Sequence, residues 1–194
     1  IHGYDAIPAT LPGGATRLVS PSETCSSEHD ARRQLVARDY LEAINYAFVD
    51  AAPLKAWALD GQGVALANPL SAELGVMRPS LLPGLVAALA RNAARQQARV
   101  RLFEVGKTFA MPETGQAPRE TRRVAAVACG DASAEQWGIV ERAVDFHDIK
   151  GDLDSLAALS GAKLDYRASS EAFAHPGRSA DVYRLDEAGG DVRL

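Results

Sequence analysis

The sequence predicts an α+β fold: a mostly antiparallel sheet with helices packed on it. Three patterns carry that expectation. Leu81, Leu85 and Leu89 fall four apart, with Leu82 and Val86 beside them, which makes one apolar helix face. Residues 100–106 (VRLFEVG) and the VAAVAC core of residues 122–129 have strand composition. Residues 148–159 return to helical spacing through Ile149, Leu153, Leu156 and Leu159. The stretch 68–109 holds the centre. It runs from a polar turn (Asn68-Pro69-Leu70-Ser71) through a short extended piece at 74–77 to Arg78, which precedes Pro79 and is biased away from helix. Ser80 is the expected N-cap, with Pro83 in the first turn, where a missing N–H costs little. Arg91 and Arg95 fall on the face opposite the leucines.

The remaining elements follow in chain order. Residues 1–19 are rich in Pro, Gly and Thr and read as a connecting arm. Ser20-Pro21-Ser22-Glu23 has the form of a helix start, and the helix is expected to run to about Arg38. Its apolar stripe is thin: Ala31, Leu35 and Val36. Residues 40–49 alternate, with apolar groups on both sides, as in a strand covered on both faces. A short helix capped by Asp50 follows over 50–59, then a strand at 64–67. Residues 111–119 hold Pro112, Gly115 and Pro118 and read as a hairpin loop. Gln136-Trp137-Gly138 is expected to be a loop packed by its tryptophan, and 144–146 a brief strand. Gly161 closes the helix at 148–159. Strands at 163–167, 180–185 and around Val192 complete the pattern.

Composition excludes several classes. The chain has 194 residues, 47% hydrophobic and 24% charged, a globular balance. A net charge of −4 argues against gripping nucleic acid over the whole surface, so such a contact would be local. Cys25 and Cys129 are far apart and read as free thiols of a reducing, cytoplasmic environment. No CxxC or HxxxH spacing exists, so no metal site is expected. No apolar run approaches the roughly 20 residues of a membrane span. Ile1 stands first and no charged-then-apolar leader follows it, so no signal peptide is expected. Both ends read as cuts through a longer chain.

The segment NPLSAELGVMRPSLLPGLVAAL, followed by RLFEVGKTF, resembles the synthetase-like module of bacterial phenylalanyl-tRNA synthetase β chains. The match is specific, because several uncommon residues recur in order at near-fixed spacing. Gly3-Tyr4-Asp5-Ala6-Ile7-Pro8, residues 145–151 (DFHDIKG) and residues 175–179 (HPGRS) resemble other β-chain segments, so the likeness covers essentially the whole chain. It implies a class II aminoacyl-tRNA synthetase-like fold. Residues 1–19 would be the arm from the preceding domain, and 20–194 a synthetase-like domain truncated at its C-terminus. The holoenzyme would be an α2β2 heterotetramer that uses ATP and Mg2+ to charge tRNA(Phe) with phenylalanine in the cytoplasm. The upstream carboxylates that bind magnesium in the family lie outside this chain. The module would be non-catalytic, leaving the chemistry to the α subunit. In the family the helix at 22–38 and the strand at 41–49 would sit at the subunit interface. A thin-striped helix gains stability by covering partner surface, at about 25 cal/mol per Å2 of apolar area. An ordinary helix on a sheet is the plainer reading of the same pattern.

Chemistry can be weighed residue by residue. The hairpin at 101–129 takes the place of the second class II motif, which offers an arginine to the ATP phosphate and an acidic residue two positions on. Here the candidates are Arg101 and Glu104, three apart, which puts them on opposite strand faces. The expectation is therefore structural pairing inside the sheet. The glycine-rich third motif does not occur before Leu194. Arg78 is placed either to clamp a carboxylate or phosphate or to pair with Glu73 or Glu104, and the ion pair is favoured. His175 reads as a loop anchor rather than an acid or base; His2, His29 and His147 show no partner pattern. Arg91, Arg95, Arg99 and Arg101 form a basic run that could meet tRNA phosphates or an acidic partner, or simply be solvated. No aromatic residue is interleaved with them to stack on bases. No catalytic, cofactor-binding or metal-binding residue is assigned, and ATP and Mg2+ are expected on the holoenzyme rather than on this chain. The alternatives are an active adenylate-forming enzyme on the same fold, or a tRNA-contact module.

Overall fold

The computed structural model describes residue 13 and residues 26–111, 117–185 and 191–194. The arm, the expected helix start at 20–23, Cys25, the tip of the 111–119 loop and the turn at 186–190 lie outside the described residues. The spine of the domain is an antiparallel hairpin. Strand β5 (Val100–Ala110) pairs with strand β6 (Arg119–Cys129) from Val100↔Cys129 to Ala110↔Arg119. The predicted strands are thus real and longer than their sequence cores. Strand β1 (Leu41–Glu42) adds to the other edge of β5, parallel to it, and gives the order β1-β5-β6. Every other ladder among the described residues is antiparallel.

Strand β5 is covered on both faces, whereas β6 is largely exposed. On one face Phe103 packs with Tyr40 and Leu35, and Val105, Ala128 and Leu156 close the cluster. Leu35 lies on helix α1 (Glu28–Val36), and Leu156 on helix α4 (Phe146–Ala158). Helix α3 (Leu82–Ala94) lies against the hairpin and buries Leu85 and Ala88, beside the buried Leu81. Val86, expected on the apolar face, is exposed, because one residue of helix is about a 100° turn from Leu85.

Capping decides where the helices begin. Helix α1 starts at a capping box formed by Ser27 and Asp30 and ends at Val36, so it is shorter than the span to Arg38. Asp39 then turns the chain at φ 63°, a left-handed conformation that aspartate tolerates. At α3 the cap position is Leu81 rather than Ser80. The Ser80 hydroxyl still accepts the Leu82 N–H at 3.2 Å. Helix α4 is capped by Asp145, whose side chain accepts from the His147 and Asp148 N–H groups. This box takes residues 145–146 into the helix start, so the strand expected at 144–146 does not form. Gly161, at φ 69°, closes the far end.

The long strand expected at 40–49 breaks into two short pieces. After β1, the Ala43 N–H bonds the Phe103 carbonyl at 2.7 Å, and the chain then leaves the sheet. It re-forms as β2 (Phe48–Val49), which pairs with β4 (Val76–Met77); β3 (Val64–Ala65) pairs with the other edge of β4. Between the pieces, Ile44 is 95% exposed and Tyr46 77% exposed, so the second covered face is not made by the described residues. Helix α2 (Ala51–Leu54) is capped by Asp50 as expected and tightens into a 3-10 turn, Lys55–Trp57. Ala72–Leu74 is also a 3-10 turn, not extended chain. A third sheet holds β7 (Lys163–Ala168), β8 (Ala180–Leu185) and β9 (Val192–Arg193) in that order. Trp137 does not pack its loop: its side chain is fully exposed.

Phe103 is fully buried at the junction of α1, α4 and the hairpin, so its loss leaves a cavity that three elements cannot all close. Phe103→Ala is expected to lower the unfolding free energy by about 3–5 kcal/mol. Urea unfolding of the 194-residue chain measures it, and a loss below about 1 kcal/mol would contradict this core assignment.

Candidate functional site

The resemblance puts the second class II motif on the hairpin, so the hairpin's charged side chains define the site to be tested. Arg101 and Glu104 are three apart on β5 and project to opposite faces, as their spacing predicted. Each is buried, and each is engaged by a different partner.

Arg101 points to the α1/α4 side. Its Nη1 donates to Asp152 Oδ2 at 3.2 Å and to the Arg38 carbonyl at 3.4 Å; its Nη2 donates to the Ala132 carbonyl at 3.1 Å. The guanidinium also lies over the Tyr40 ring, 5.2 Å from the centroid. Asp152 collects further donors. Tyr40 donates its hydroxyl to Asp152 Oδ2 at 2.7 Å, and Arg38 donates Nη1 to Oδ1 at 2.9 Å. Burial, reinforced by the hydrogen bond to Asp152, pushes the Tyr40 hydroxyl far above its ordinary range and keeps it a donor.

Glu104 points to the α3 side. Arg78 Nη1 donates to its Oε1 at 2.6 Å, and Asn45 Nδ2 donates to Oε2 at 2.8 Å. Arg78 Nε also donates to the Lys107 carbonyl at 3.0 Å. Gly106 makes this possible: a Cβ there would stand 2.3 Å from Arg78 Nη2. Of the two partners foreseen for Arg78, Glu104 is the one it meets; Glu73 is exposed.

This arrangement does not fit a nucleotide. The arginine that would reach a phosphate is buried and holds a carboxylate, and the acidic residue lies on the other side of the strand. Among the described residues, no group of three or more His, Cys, Asp or Glu is placed to hold a metal ion.

The other sequence candidates separate by environment. Arg99 donates to the Asp131 and Ala132 carbonyls and pairs with Asp39 at 3.2 Å, so it is structural. Arg91 and Arg95 are exposed and have no partner among the described residues. The His175 carbonyl accepts from the Arg178 N–H and the Ser179 hydroxyl, both at 3.1 Å, which anchors the loop through the backbone. The segments 145–151 and 175–179 meet at an open cleft of about 810 Å3, lined by Phe146, His147, Ile149, Arg178 and Ser179. The carboxylates of the first segment are engaged there. Asp145 caps α4, and Asp148 takes both Nη groups of Arg142 at 2.6 Å. That bidentate bond holds the Asp148 carboxyl well below its usual range.

Two partners escaped the sequence reading. Asp152 carried a usable signal: it sits at i+3 from Ile149 and i−4 from Leu156, on the helix's apolar face. Asn45 carried none, because its contact with Glu104 spans 59 residues of sequence.

Removing one member of a buried ion pair leaves the other charge uncompensated, whereas replacing both with apolar groups is often neutral. Arg78→Met alone is expected to cost about 3–5 kcal/mol of stability, and Arg78→Met with Glu104→Leu to regain most of it. A double-mutant cycle by urea unfolding measures the coupling; additive losses would contradict the pair.

The matched family model is described as the phenylalanyl tRNA synthetase beta chain CLM domain, and it matches residues 7–192. The phenylalanine–tRNA ligase beta subunit of Xanthomonas oryzae pv. oryzae is 64% identical over 185 residues, 95% of this chain. That of Xylella fastidiosa is 59% identical over 184 residues, 94% of this chain. The chain spans 23% of the length of each of these relatives. In fold it is similar to a solved pyrrolysyl tRNA synthetase from Desulfitobacterium hafniense, with a TM-score of 0.58 and 14% identity, covering 86% of this chain and 55% of that one. The likeness is one of fold: a class II aminoacyl-tRNA synthetase architecture with helices around antiparallel strands. With its family model matched from residue 7 to residue 192, this chain belongs to the phenylalanyl-tRNA synthetase β-chain family, in the region of the CLM domain.

Proposed function

We propose that this chain is a non-catalytic structural module of the β subunit of phenylalanine–tRNA ligase. It holds an α subunit in working geometry, while α charges tRNA(Phe) with phenylalanine using ATP and Mg2+ in a cytoplasmic α2β2 enzyme. The observation that carries this reading is the fate of the hairpin charges. Arg101 and Glu104 are buried on opposite faces and spent on Asp152 and Arg78, so neither is free to grip a nucleotide.

The surface supports the scaffolding part. Val36 at the end of α1, Leu41 on β1, and Ile44 and Tyr46 just beyond it are all exposed apolar side chains. These are the helix and strand that the family resemblance places at the subunit interface. Covering them removes apolar area from water at about 25 cal/mol per Å2. No helix among the described residues is long and apolar enough to cross a membrane. Arg91 and Arg95, exposed and without a partner among the described residues, favour a secondary reading, in which this module also touches tRNA phosphates.

The test is assembly of full-length β with α. Ile44→Asp is expected to weaken the α–β complex at least tenfold, read by analytical ultracentrifugation. The Arg78→Met/Glu104→Leu variant is expected to assemble and charge tRNA(Phe) with unchanged kcat and KM for ATP. Unweakened assembly of the first, or a loss of kcat in correctly assembled enzyme for the second, would overturn the reading.

A further inference from the structure

Segment 43–47 carries Ile44 and Tyr46 on the surface and belongs to neither flanking strand. Its two ends are tied by backbone. The Ala43 N–H bonds the Phe103 carbonyl at 2.7 Å, and the Arg78 N–H bonds the Ala47 carbonyl at 2.9 Å. Between those ends, Ile44 and Tyr46 make no hydrogen bond among the described residues. The polar tether there is the Asn45 side chain, whose Nδ2 donates to Glu104 Oε2 at 2.8 Å. Burial alternates along the segment: Ala43, Asn45 and Ala47 are partly covered, while Ile44 and Tyr46 are exposed. In extended chain, a side chain turned inward turns both its neighbours outward on one side. The orientation of Ile44 and Tyr46 is therefore set at Asn45.

The anchor is itself fixed. Glu104 is buried, and an ionised carboxylate only accepts, so each oxygen needs a donor. Arg78 Nη1 supplies Oε1, and Asn45 supplies Oε2. Arg78 is held in turn by the bond from its Nε to the Lys107 carbonyl. Helix α3 closes the other side of Asn45. A Cβ on Gly84 would stand 3.3 Å from the Asn45 Cβ and 3.5 Å from its Nδ2. The amide thus occupies a slot between Glu104 and the first turn of α3. An aliphatic side chain in that slot would leave a buried acceptor unpaired, which is costly. Glu104 and the surface segment are therefore coupled: the bond that satisfies the carboxylate also sets the course of the chain above it.

We propose that Asn45 is the positioning residue of segment 43–47: anchored on Glu104, it fixes the course in which Ile44 and Tyr46 project together. This rests on the scaffolding reading above, in which that pair meets the α subunit, and names the residue that presents it. Full-length β carrying Asn45→Ala is compared with wild type by hydrogen–deuterium exchange and mass spectrometry, without α. Peptides spanning Ala43 and Arg78, whose amides close the two ends of the segment, are expected to exchange at least tenfold faster. Peptides of the β5–β6 hairpin keep their rates. Asn45→Asp, which keeps the shape but loses the NH2 donor, is expected to loosen the same peptides. The α–β dissociation constant is expected to rise at least fivefold for both variants, with Ile44→Asp measured in parallel. Arg78→Met/Glu104→Leu removes the same anchor, so its dissociation constant rises as far while the assembled enzyme keeps its kcat. Unchanged exchange at both ends overturns the proposal, because the segment is then held without Asn45. Wild-type exchange in Asn45→Asp overturns it as well, because the donor is then not needed. Exchange that rises equally across the hairpin overturns it by making the bond a general stabiliser. Local loosening with a dissociation constant within twofold of wild type removes the positioning role. If Ile44→Asp still weakens assembly in that case, only the role of Asn45 falls; if neither variant weakens it, the scaffolding reading falls too.

Discussion

Burial of β5 on both faces is the constraint from which the rest follows. A strand in that position cannot leave a charge unpaired, since a buried lone ion costs several kcal/mol. Yet β5 carries Arg101 and Glu104. The fold answers by sending one opposite charge to each face: Asp152 from α4 on one side, Arg78 from the loop before α3 on the other. Those two pairs tie the hairpin to segments 51 and 26 residues away in sequence, and so fix how α4 and the α3 loop sit on the sheet.

The same pairs connect architecture to function. A strand that spends Arg101 and Glu104 inward has neither to offer a ligand at the sheet surface. In the scaffolding reading this is the physical difference between a working ligase hairpin and a supporting one. Exposed apolar side chains stand beside it: Leu41, Ile44 and Tyr46 at and just beyond β1.

How much of this was legible in sequence depended on how local the cause was. Leu81 and Leu85 were readable because helical periodicity is written within a few residues. The opposite facing of Arg101 and Glu104 followed from strand periodicity alone, and Arg78 had Glu104 as one of two candidate partners. The 40–49 strand was misjudged because alternation records which side chains seek cover, not which backbone groups find a ladder; only Leu41–Glu42 reach β5. The strand at 144–146 lost to the Asp145 capping box, a local signal that outweighed a short apolar pair. Trp137 was read as packing because tryptophan usually buries, whereas here its loop is held by backbone bonds and arginines instead. Asp152 and Asn45 were missed because their partners lie across the fold.

The most direct measurement is a calorimetric titration of this chain with ATP in the presence of Mg2+. If Arg101 and Glu104 are spent on Asp152 and Arg78, no binding heat appears at micromolar nucleotide. A saturable isotherm with a micromolar dissociation constant would show a working nucleotide site, and the account of β5 as a closed, internally paired strand would be wrong.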